Sequence, residues 1–179
     1  LQPGESLPDL GCGSGRDVLE AAGLVGPAGR AIGVDLTPEM IRAAQAQRER
    51  MGTTNAGFAA GQMEELPMPD GSVDVVMSDC AINHARDKAR VYSEIHRVLR
   101  PGGRFVVSDP VSEVPLPPEV KSDPQAWAEC YGGAITEDEH FAILRELGFD
   151  GLEVLERRRY LKNGYPFASL TIRGWKPRA

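Results

Sequence analysis

The sequence predicts an α/β fold built on a doubly wound, mostly parallel sheet. Two observations support this prediction. Five short apolar segments with strand character alternate with segments of helical periodicity over residues 1–109. Two further strand segments near the C-terminal end are separated by Lys162-Asn163-Gly164, which is a hairpin signal. We therefore expect helices on both faces of a parallel sheet, with an antiparallel hairpin added at one side.

The first half of the chain is predicted from apolar periodicity and turn signals. Strand one is expected over residues 5–10, and Pro8 predicts that it is short or bent because proline has no N–H for a ladder. The following elements are expected to be a helix over 16–24, a strand over 31–35, a helix over 38–50 and a strand over 56–60. In the second helix, Met40, Ile41 and Ala44 are expected to point inward.

The second half continues the alternation and then departs from it. The expected elements are a strand over 73–78, a helix over 86–99, a strand over 104–108, a helix over 136–147 and strands over 152–161 and 167–175. The proline-rich stretch over 110–118 predicts a lid or insertion. Thr136 and Glu139 have the spacing of a capping box.

Composition narrows the functional classes. The 179 residues suit one domain, which we divide into a cofactor-binding part (1–109) and a substrate-side part with the insertion, helix and hairpin (110–179). A net charge of −6 argues against a nucleic-acid partner, and the run Arg157-Arg158-Arg159 fits a solvated strand edge. No apolar stretch reaches the ~20 residues of a membrane span. Three irregularly spaced cysteines favour a reducing, cytoplasmic location.

A glycine-rich stretch after the first strand is the strongest motif. Asp9 precedes Gly11, Gly13 and Gly15, and Asp35 ends the second strand 20 residues after Gly15. The spacing Gly-x-Gly-x-Gly differs from the dinucleotide fingerprint Gly-x-Gly-x-x-Gly, which argues against a NAD-dependent oxidoreductase. An acid next to this loop suits a ligand with an ammonium and a carboxylate. We expect a nucleoside ligand, against the alternative of a plain turn and a helix cap.

The motif set resembles class I S-adenosylmethionine-dependent methyltransferases. The resemblance rests on Asp-x-Gly-x-Gly-x-Gly at 9–15, Val-Asp at 34–35, Gly-x-x-Glu-x-Leu-Pro at 61–67, Ser-Val-Asp-Val-Val at 72–76 and Val-Leu-Arg-Pro-Gly-Gly at 98–103. It implies a seven-stranded sheet and S-adenosylmethionine as the cofactor over the carboxyl ends of the first strands. The implied cofactor-binding residues are Asp9, Gly11, Cys12, Gly13, Gly15, Asp35, Leu36, Met40, Met63, Glu64 and Asp79.

Each of these residues has an implied role. Gly11, Gly13 and Gly15 admit the methionine part, and Asp9 lies near its ammonium group. Asp35 accepts the ribose hydroxyls. Leu36 and Met63 sandwich the adenine, whose amino group meets Glu64 or the neighbouring backbone. Asp79 faces the reactive methyl group.

Further segments resemble the arsenite methyltransferase branch of that family. They are residues 13–18, 78–83, 87–88, 123–134 and 169–173. The resemblance implies that Cys130 is an arsenic ligand and, with Asp79, part of the catalytic site, and that a thiol reductant takes part. Thiolates are natural ligands of soft trivalent arsenic. The chain departs from the branch in having no cysteine after Cys130 and an aspartate at position 79. Cys12 and Cys80 are expected to be small packing residues.

Two other functions remain open at this stage. A methyltransferase acting on oxygen, nitrogen or carbon of a small metabolite can require a base, for which His84 and His140 are the candidates. His140 is expected to be structural and His96 to lie at the surface. The second alternative is a module that binds S-adenosylmethionine or a metalloid without transfer. In every case the acceptor pocket is expected between the loop after the fourth strand, residues 110–131 and the final hairpin, walled by Trp127, Tyr131 and Tyr165.

Overall fold

One seven-stranded sheet runs through the structure, a computed structural model in which residues 1–178 are described. Its strands are β1 (Ser6–Leu10), β2 (Arg30–Asp35), β3 (Ala56–Ala60), β4 (Val73–Asp79), β5 (Leu99–Ser112), β6 (Asp150–Lys162) and β7 (Tyr165–Trp175). The helices are α1 (Arg16–Val25), α2 (Pro38–Met51), α3 (Lys88–Val98), α4 (Pro118–Ser122), α5 (Pro124–Ala128) and α6 (Glu137–Glu146), with a 3-10 helix over Ile82–His84.

The sheet has the order β3-β2-β1-β4-β5-β7-β6, and the first five strands in this order are parallel. Strand β7 is antiparallel to both β5 and β6. The turn between β6 and β7 places Asn163 and Gly164 at φ angles of 51° and 81°. Asparagine and glycine tolerate this left-handed region, which hairpin turns of two residues require. The predicted mixed sheet with its C-terminal hairpin is therefore confirmed.

Pro8 is accommodated because β1 is paired unequally on its two sides. Towards β2, the pairing runs from Ser6 to Leu10, whereas towards β4 it includes only Asp9 and Leu10. The Asp74 carboxylate accepts the Ser6 N–H at 2.8 Å on the β4 side. The missing N–H of Pro8 therefore costs no ladder bond in the centre of the sheet.

Apolar side chains form a core on each face of the sheet. Tyr92 of α3 and Leu144 of α6 pack on one face, and Val18 of α1 and Ile41 of α2 pack on the other. Met40 does not point inward as predicted but is 43% exposed. On a helix, position 40 lies about 100° away from position 41, and only the stripe through Ile41 and Ala44 meets the sheet.

In the second half of the chain, β5 differs from its predicted bounds by more residues than the other strands do. Strand β5 starts before the predicted Arg104 and continues to Ser112, so the first residues of the predicted irregular stretch are strand. Ser112 also forms a bridge with Thr136, the residue that caps α6 through the predicted capping box with Glu139. In the part of the chain that the structure describes, no helix has the length and apolar character needed to cross a membrane.

Candidate active site

The glycine-rich loop follows β1 at the carboxyl edge of the sheet. Gly11, Gly13 and Gly15 have φ angles of 74°, 51° and 83°. Residues other than glycine rarely adopt these backbone angles. A Cβ on Gly11 would overlap Ala81, and a Cβ on Gly15 would lie 2.6 Å from the Phe58 ring. No heavy atom lies within 4 Å of the Cβ position of Gly13, so this part of the loop backbone is open to a ligand.

Asp35 at the end of β2 fixes this loop. Its Oδ2 accepts the Gly13 N–H at 2.9 Å, and its Oδ1 accepts the Thr37 N–H at 2.8 Å. Each carboxylate oxygen has a second lone pair, so Asp35 can also accept two hydroxyl groups of a ligand. The spacing that the sequence indicates therefore becomes a direct contact between the loop and the second strand.

Asp9 is a buried carboxyl group with excess negative charge around it. Asp9 is 4% exposed. Its pKa is raised to about 7, mainly by burial and further by the negative charges of Asp17, Asp79 and Asp35. Within residues 1–178 no lysine or arginine forms an ion pair with Asp9. A buried carboxylate without a counter-cation fits a ligand that brings an ammonium group.

A cavity of about 660 Å³, here called the glycine-loop cavity, opens beside this loop. Its lining residues are Gly11, Val34, Asp35, Leu36, Thr37, Gly61, Gln62, Met63, Glu64, Cys80, Ala81, His84 and Ala85. It therefore brings together Gly11, Asp35, Leu36, Met63 and Glu64 of the predicted cofactor-binding set, whereas Asp9, Gly13, Gly15 and Asp79 are not part of its lining. Met40 is not among the lining residues. The Cys12 side chain is 8% exposed and packs close to Gly33, so only the Cys12 backbone belongs to the loop surface.

A second cavity of about 390 Å³, the thiol cavity, lies at the ends of β4 and β5. Its lining residues are Asp79, Cys80, Ser108, Asp109, Pro110, Glu129, Cys130, Arg158, Tyr160, Lys162 and Ser169. Cys80 lines both cavities. The predicted acceptor region thus lies next to the glycine-loop cavity, and Cys80 is a lining residue common to both.

Cys130 comes into contact with the loop after β4. Its Sγ lies 3.0 Å from His84 Nε2 and 3.5 Å from the Cys80 carbonyl oxygen, across separations of 46 and 50 residues. Burial and then the neighbouring Cys130 thiol raise the pKa of Cys80 to about 12. Cys80 is exposed, so the prediction that it is a packing residue is wrong, whereas Cys12 is buried as predicted.

His140 and His96 both pack against aromatic residues outside the two cavities. His140 is buried, lies 2.6 Å from the Tyr92 hydroxyl and has a pKa lowered by burial to about 4, which confirms its structural role. His96 is partly exposed, in line with the expected surface position, and one side of its ring packs edge-on against Phe149.

The predicted aromatic wall of the acceptor pocket is wrong. Tyr131 and Tyr165 pack in the core around Phe167, and Trp127 lines a different cavity beside Lys88 and Lys121. The aromatic residue that lines the thiol cavity is Tyr160. Residues of the hairpin strand β6 therefore replace the expected ones.

Two polar residues that sequence reasoning missed hold the loops around Cys80 and Cys130. Asn83 Nδ2 donates to the carbonyl oxygens of Pro110 at 2.7 Å and Cys130 at 3.1 Å. Asp109 Oδ2 accepts the Ile82 N–H at 3.1 Å, and its Oδ1 is buried without a partner among the described residues. Burial raises the pKa of Asp109 to about 7. Its position near the carboxyl end of a parallel strand was the available signal.

The sheet order, the glycine-rich loop and the acids at the ends of β1 and β2 define a class I S-adenosylmethionine-dependent methyltransferase fold. A family model described as "Methyltransferase domain" matches residues 1–156. The chain belongs to this methyltransferase domain family.

Similar proteins include several arsenite methyltransferases. The chain is 45% identical to arsenite methyltransferase of Halobacterium salinarum over 154 residues, which are 86% of this chain and 39% of that protein. It is 35% identical to arsenite methyltransferase of Mus musculus over 79% of this chain and 40% of that protein. The chain thus spans less than half the length of these relatives.

A solved structure of an arsenic methyltransferase is also similar to this chain. CrArsM, an arsenic (III) S-adenosylmethionine methyltransferase from Chlamydomonas reinhardtii, superposes with a TM-score of 0.90 at 36% identity. The match covers 98% of this chain and 64% of that chain.

Proposed function

We propose that the chain transfers the methyl group of S-adenosylmethionine to trivalent arsenic held by the Cys130 thiolate. The observation that carries this proposal is the position of Cys130 in the thiol cavity, in contact with His84 and the Cys80 backbone beside the glycine-loop cavity. The similarity to arsenite methyltransferases supports arsenic as the acceptor. A soft metalloid explains why this acceptor region contains thiols.

The glycine-rich loop, the buried Asp9 that precedes it and the glycine-loop cavity fit the cofactor group by group. Asp9 pairs with its ammonium group, which supplies the missing counter-cation, and the open backbone at Gly13 leaves room for the methionine part. Asp35 accepts the ribose hydroxyls. Leu36 and Met63 pack on the adenine, and Glu64 accepts from its amino group. In this proposal residues 1–109 hold the cofactor and residues 110–179 complete the acceptor side.

The reaction needs few groups from the protein. When bound, S-adenosylmethionine supplies a methyl group on a positively charged sulfur, which keeps the electrons of the carbon–sulfur bond as the methyl group leaves. Trivalent arsenic contributes its own lone pair to the new bond, so no proton has to leave the acceptor and no general base is required. The task of Cys130 is to hold arsenic close to the methyl group. An external thiol keeps the cysteines reduced and occupies the remaining arsenic ligand positions.

Asp79 has an electrostatic role in this proposal. It ends β4, lines the thiol cavity and raises the pKa of both Asp9 and Cys80 through its negative charge. A fixed negative charge within reach of both cavities stabilises the positively charged cofactor during binding.

The experiment is transfer of labelled methyl from S-adenosylmethionine to arsenite with excess thiol. We expect product with the wild-type chain and none with Cys130→Ser, while cofactor affinity, measured by equilibrium dialysis, stays within about twofold because Cys130 does not line the glycine-loop cavity. Cofactor binding without arsenite methylation by the wild-type chain would reject the proposal. Methyl transfer to a hydroxyl, amine or carbon acceptor would then be the function to test.

A further inference from the structure

Resting on this proposed function, we infer that Cys80 is the second protein ligand of trivalent arsenic and that Cys80 and Cys130 bind it together. The two cysteines lie 50 residues apart in the chain and meet at the thiol cavity, where Cys130 Sγ approaches the Cys80 carbonyl oxygen at 3.5 Å. The thiol of Cys130 is also one of the neighbouring groups that raise the pKa of the Cys80 thiol. Cys12, the third cysteine, is buried against Gly33 and faces neither thiol.

The backbone of both residues is held in an unusual conformation. Cys80 and Cys130 have φ angles of 54° and 64°, and in the described part of the chain the one further non-glycine residue with positive φ is Asn163 in the hairpin turn. Cysteine gains nothing locally from the left-handed region, so the surrounding structure imposes it. Such strain concentrates at binding sites.

Several contacts impose this conformation on the two loops together. The Cys80 N–H donates to the Ser108 carbonyl oxygen at 2.7 Å, and the Cys130 N–H donates to Trp127 at 3.0 Å. Asn83, 3% exposed, joins the loops by donating to the Cys130 carbonyl oxygen. Gly133 permits this approach, because a Cβ there would overlap the Asn83 carbonyl oxygen. The second thiol is therefore positioned before the ligand arrives, which strengthens two-point binding.

The position of Cys80 suits methyl transfer. Cys80 lines both the glycine-loop cavity and the thiol cavity, whereas Cys130 lines the thiol cavity. Arsenic bound to both sulfurs would be held at the junction of the two cavities, since Cys80 lines both of them. Arsenic bound to Cys130 alone is free to turn away from this junction.

The binding step is balanced without an oxidant. Arsenous acid has three hydroxyl groups on arsenic. Two arsenic–oxygen bonds break, two arsenic–sulfur bonds form to Cys80 and Cys130, and each thiol proton leaves with a hydroxide as water. Both cysteines can therefore enter the reaction as neutral thiols. The third arsenic position keeps its hydroxide or exchanges it for an external thiol, again with loss of water.

The test measures arsenite binding to the purified chain without S-adenosylmethionine. X-ray absorption counts the arsenic–sulfur bonds, of which we expect two for the wild-type chain and one for Cys80→Ser or Cys130→Ser. Arsenite affinity falls about 100-fold or more in either variant because the second bond is intramolecular in the wild-type chain. Cys12→Ala removes a thiol outside the pair and keeps two arsenic–sulfur bonds.

A second measurement requires no variant. Stoichiometric arsenite protects Cys80 and Cys130 of the wild-type chain from N-ethylmaleimide, as mapped by peptide mass spectrometry. Unchanged labelling of Cys80, or two arsenic–sulfur bonds in Cys80→Ser, overturns the inference while leaving arsenite methylation by Cys130 intact. Conversely, a two-sulfur site in a chain that never methylates arsenite upholds the inference and rejects the proposed function.

Discussion

Asn83 donates one hydrogen bond to the Cys130 carbonyl oxygen at 3.1 Å and another to Pro110 at 2.7 Å, so a single amide joins the loop after β4 to the loop after α5. This amide therefore links the loop of the exposed Cys80 to the loop of the half-buried Cys130. Asn83 is 3% exposed.

Replacement of Asn83 tests this connection. Asn83→Ala leaves two carbonyl groups without a donor and is expected to lower the free energy of unfolding by about 1–3 kcal/mol. The isosteric Asn83→Asp is expected to be worse at pH 8, since it directs a carboxylate at two carbonyl oxygens. Urea unfolding followed by circular dichroism measures both. An Asn83→Asp variant as stable as the wild-type chain would contradict this account.

Gly133 controls the same approach from the opposite loop. Gly133→Ala places a Cβ against the Asn83 carbonyl oxygen, and we expect a loss of about 2–4 kcal/mol in stability together with weaker arsenite binding. Gly23→Ala in α1 is the matched control, because its Cβ meets nothing within 4 Å. This control is expected to be neutral or stabilising by up to about 1 kcal/mol. Thermal unfolding and arsenite titration of both variants decide the matter.

Asp35 should be needed more for the cofactor than for folding. Asp35→Asn keeps one oxygen for Gly13 or Thr37 but loses the charge and one acceptor. We expect S-adenosylmethionine affinity to fall at least tenfold, which corresponds to about 1.4 kcal/mol. Glu20→Gln, exposed on α1, serves as the control for loss of one negative charge. Calorimetric titration showing equal affinities for both variants would remove Asp35 from the cofactor site.

The raised pKa of Asp9 predicts that this group makes the folded protein less stable as the pH rises. Its pKa is about 7 in the folded protein and 3.8 as the ordinary value, so the folded state holds its proton more tightly than the unfolded state. Stability is therefore highest below pH 4 with respect to this group and falls as the pH rises to 7. Asp9→Asn removes this decline, because the asparagine side chain does not titrate. The free energy of unfolding of the variant minus that of the wild-type chain should therefore increase by roughly 2–4 kcal/mol between pH 4 and pH 8.

Urea midpoints at both pH values measure this difference. Asp109, which has a similarly raised pKa, is present in both chains and so cancels from the comparison. A difference between the chains that stays constant with pH would show that Asp9 ionises normally. Cofactor binding gives the opposite readout, since Asp9→Asn loses the partner of the ammonium group and should bind S-adenosylmethionine more weakly.

The sheet and the glycine-rich loop could be predicted because they depend on neighbours close in the sequence. Alternating apolar segments, three glycines and an acid at a fixed distance determine these elements locally. Even Pro8 carried correct information about a short strand. Met40 was misplaced because neighbouring positions on a helix differ by about 100°, and the sequence does not say which of two apolar residues meets the sheet.

The acceptor side could not be predicted in the same way. The contact of Cys130 with His84 joins loops 46 residues apart, and it depends on how α5 and the 3-10 helix pack rather than on any spacing in the sequence. Tyr131 lies in a core instead of the acceptor pocket for the same reason, because alternation along a strand or turn leaves open which face meets a core. Asn83 resembled an ordinary loop residue until its two acceptors were known.

The outer edge of the hairpin carries a further consequence. Strand β6 ends the sheet on one side, and its backbone groups on that side have no neighbouring strand. Arg157, Arg158 and Arg159 are all exposed, and Arg157 and Arg159 form ion pairs with Glu137 and Glu113. A second copy that paired antiparallel with β6 around Arg158 would bring this arginine, which forms no ion pair among the described residues, against its counterpart. Like charges at an open edge oppose such pairing. The same run of arginines thus opposes aggregation by addition of strands from other copies to this edge of the sheet.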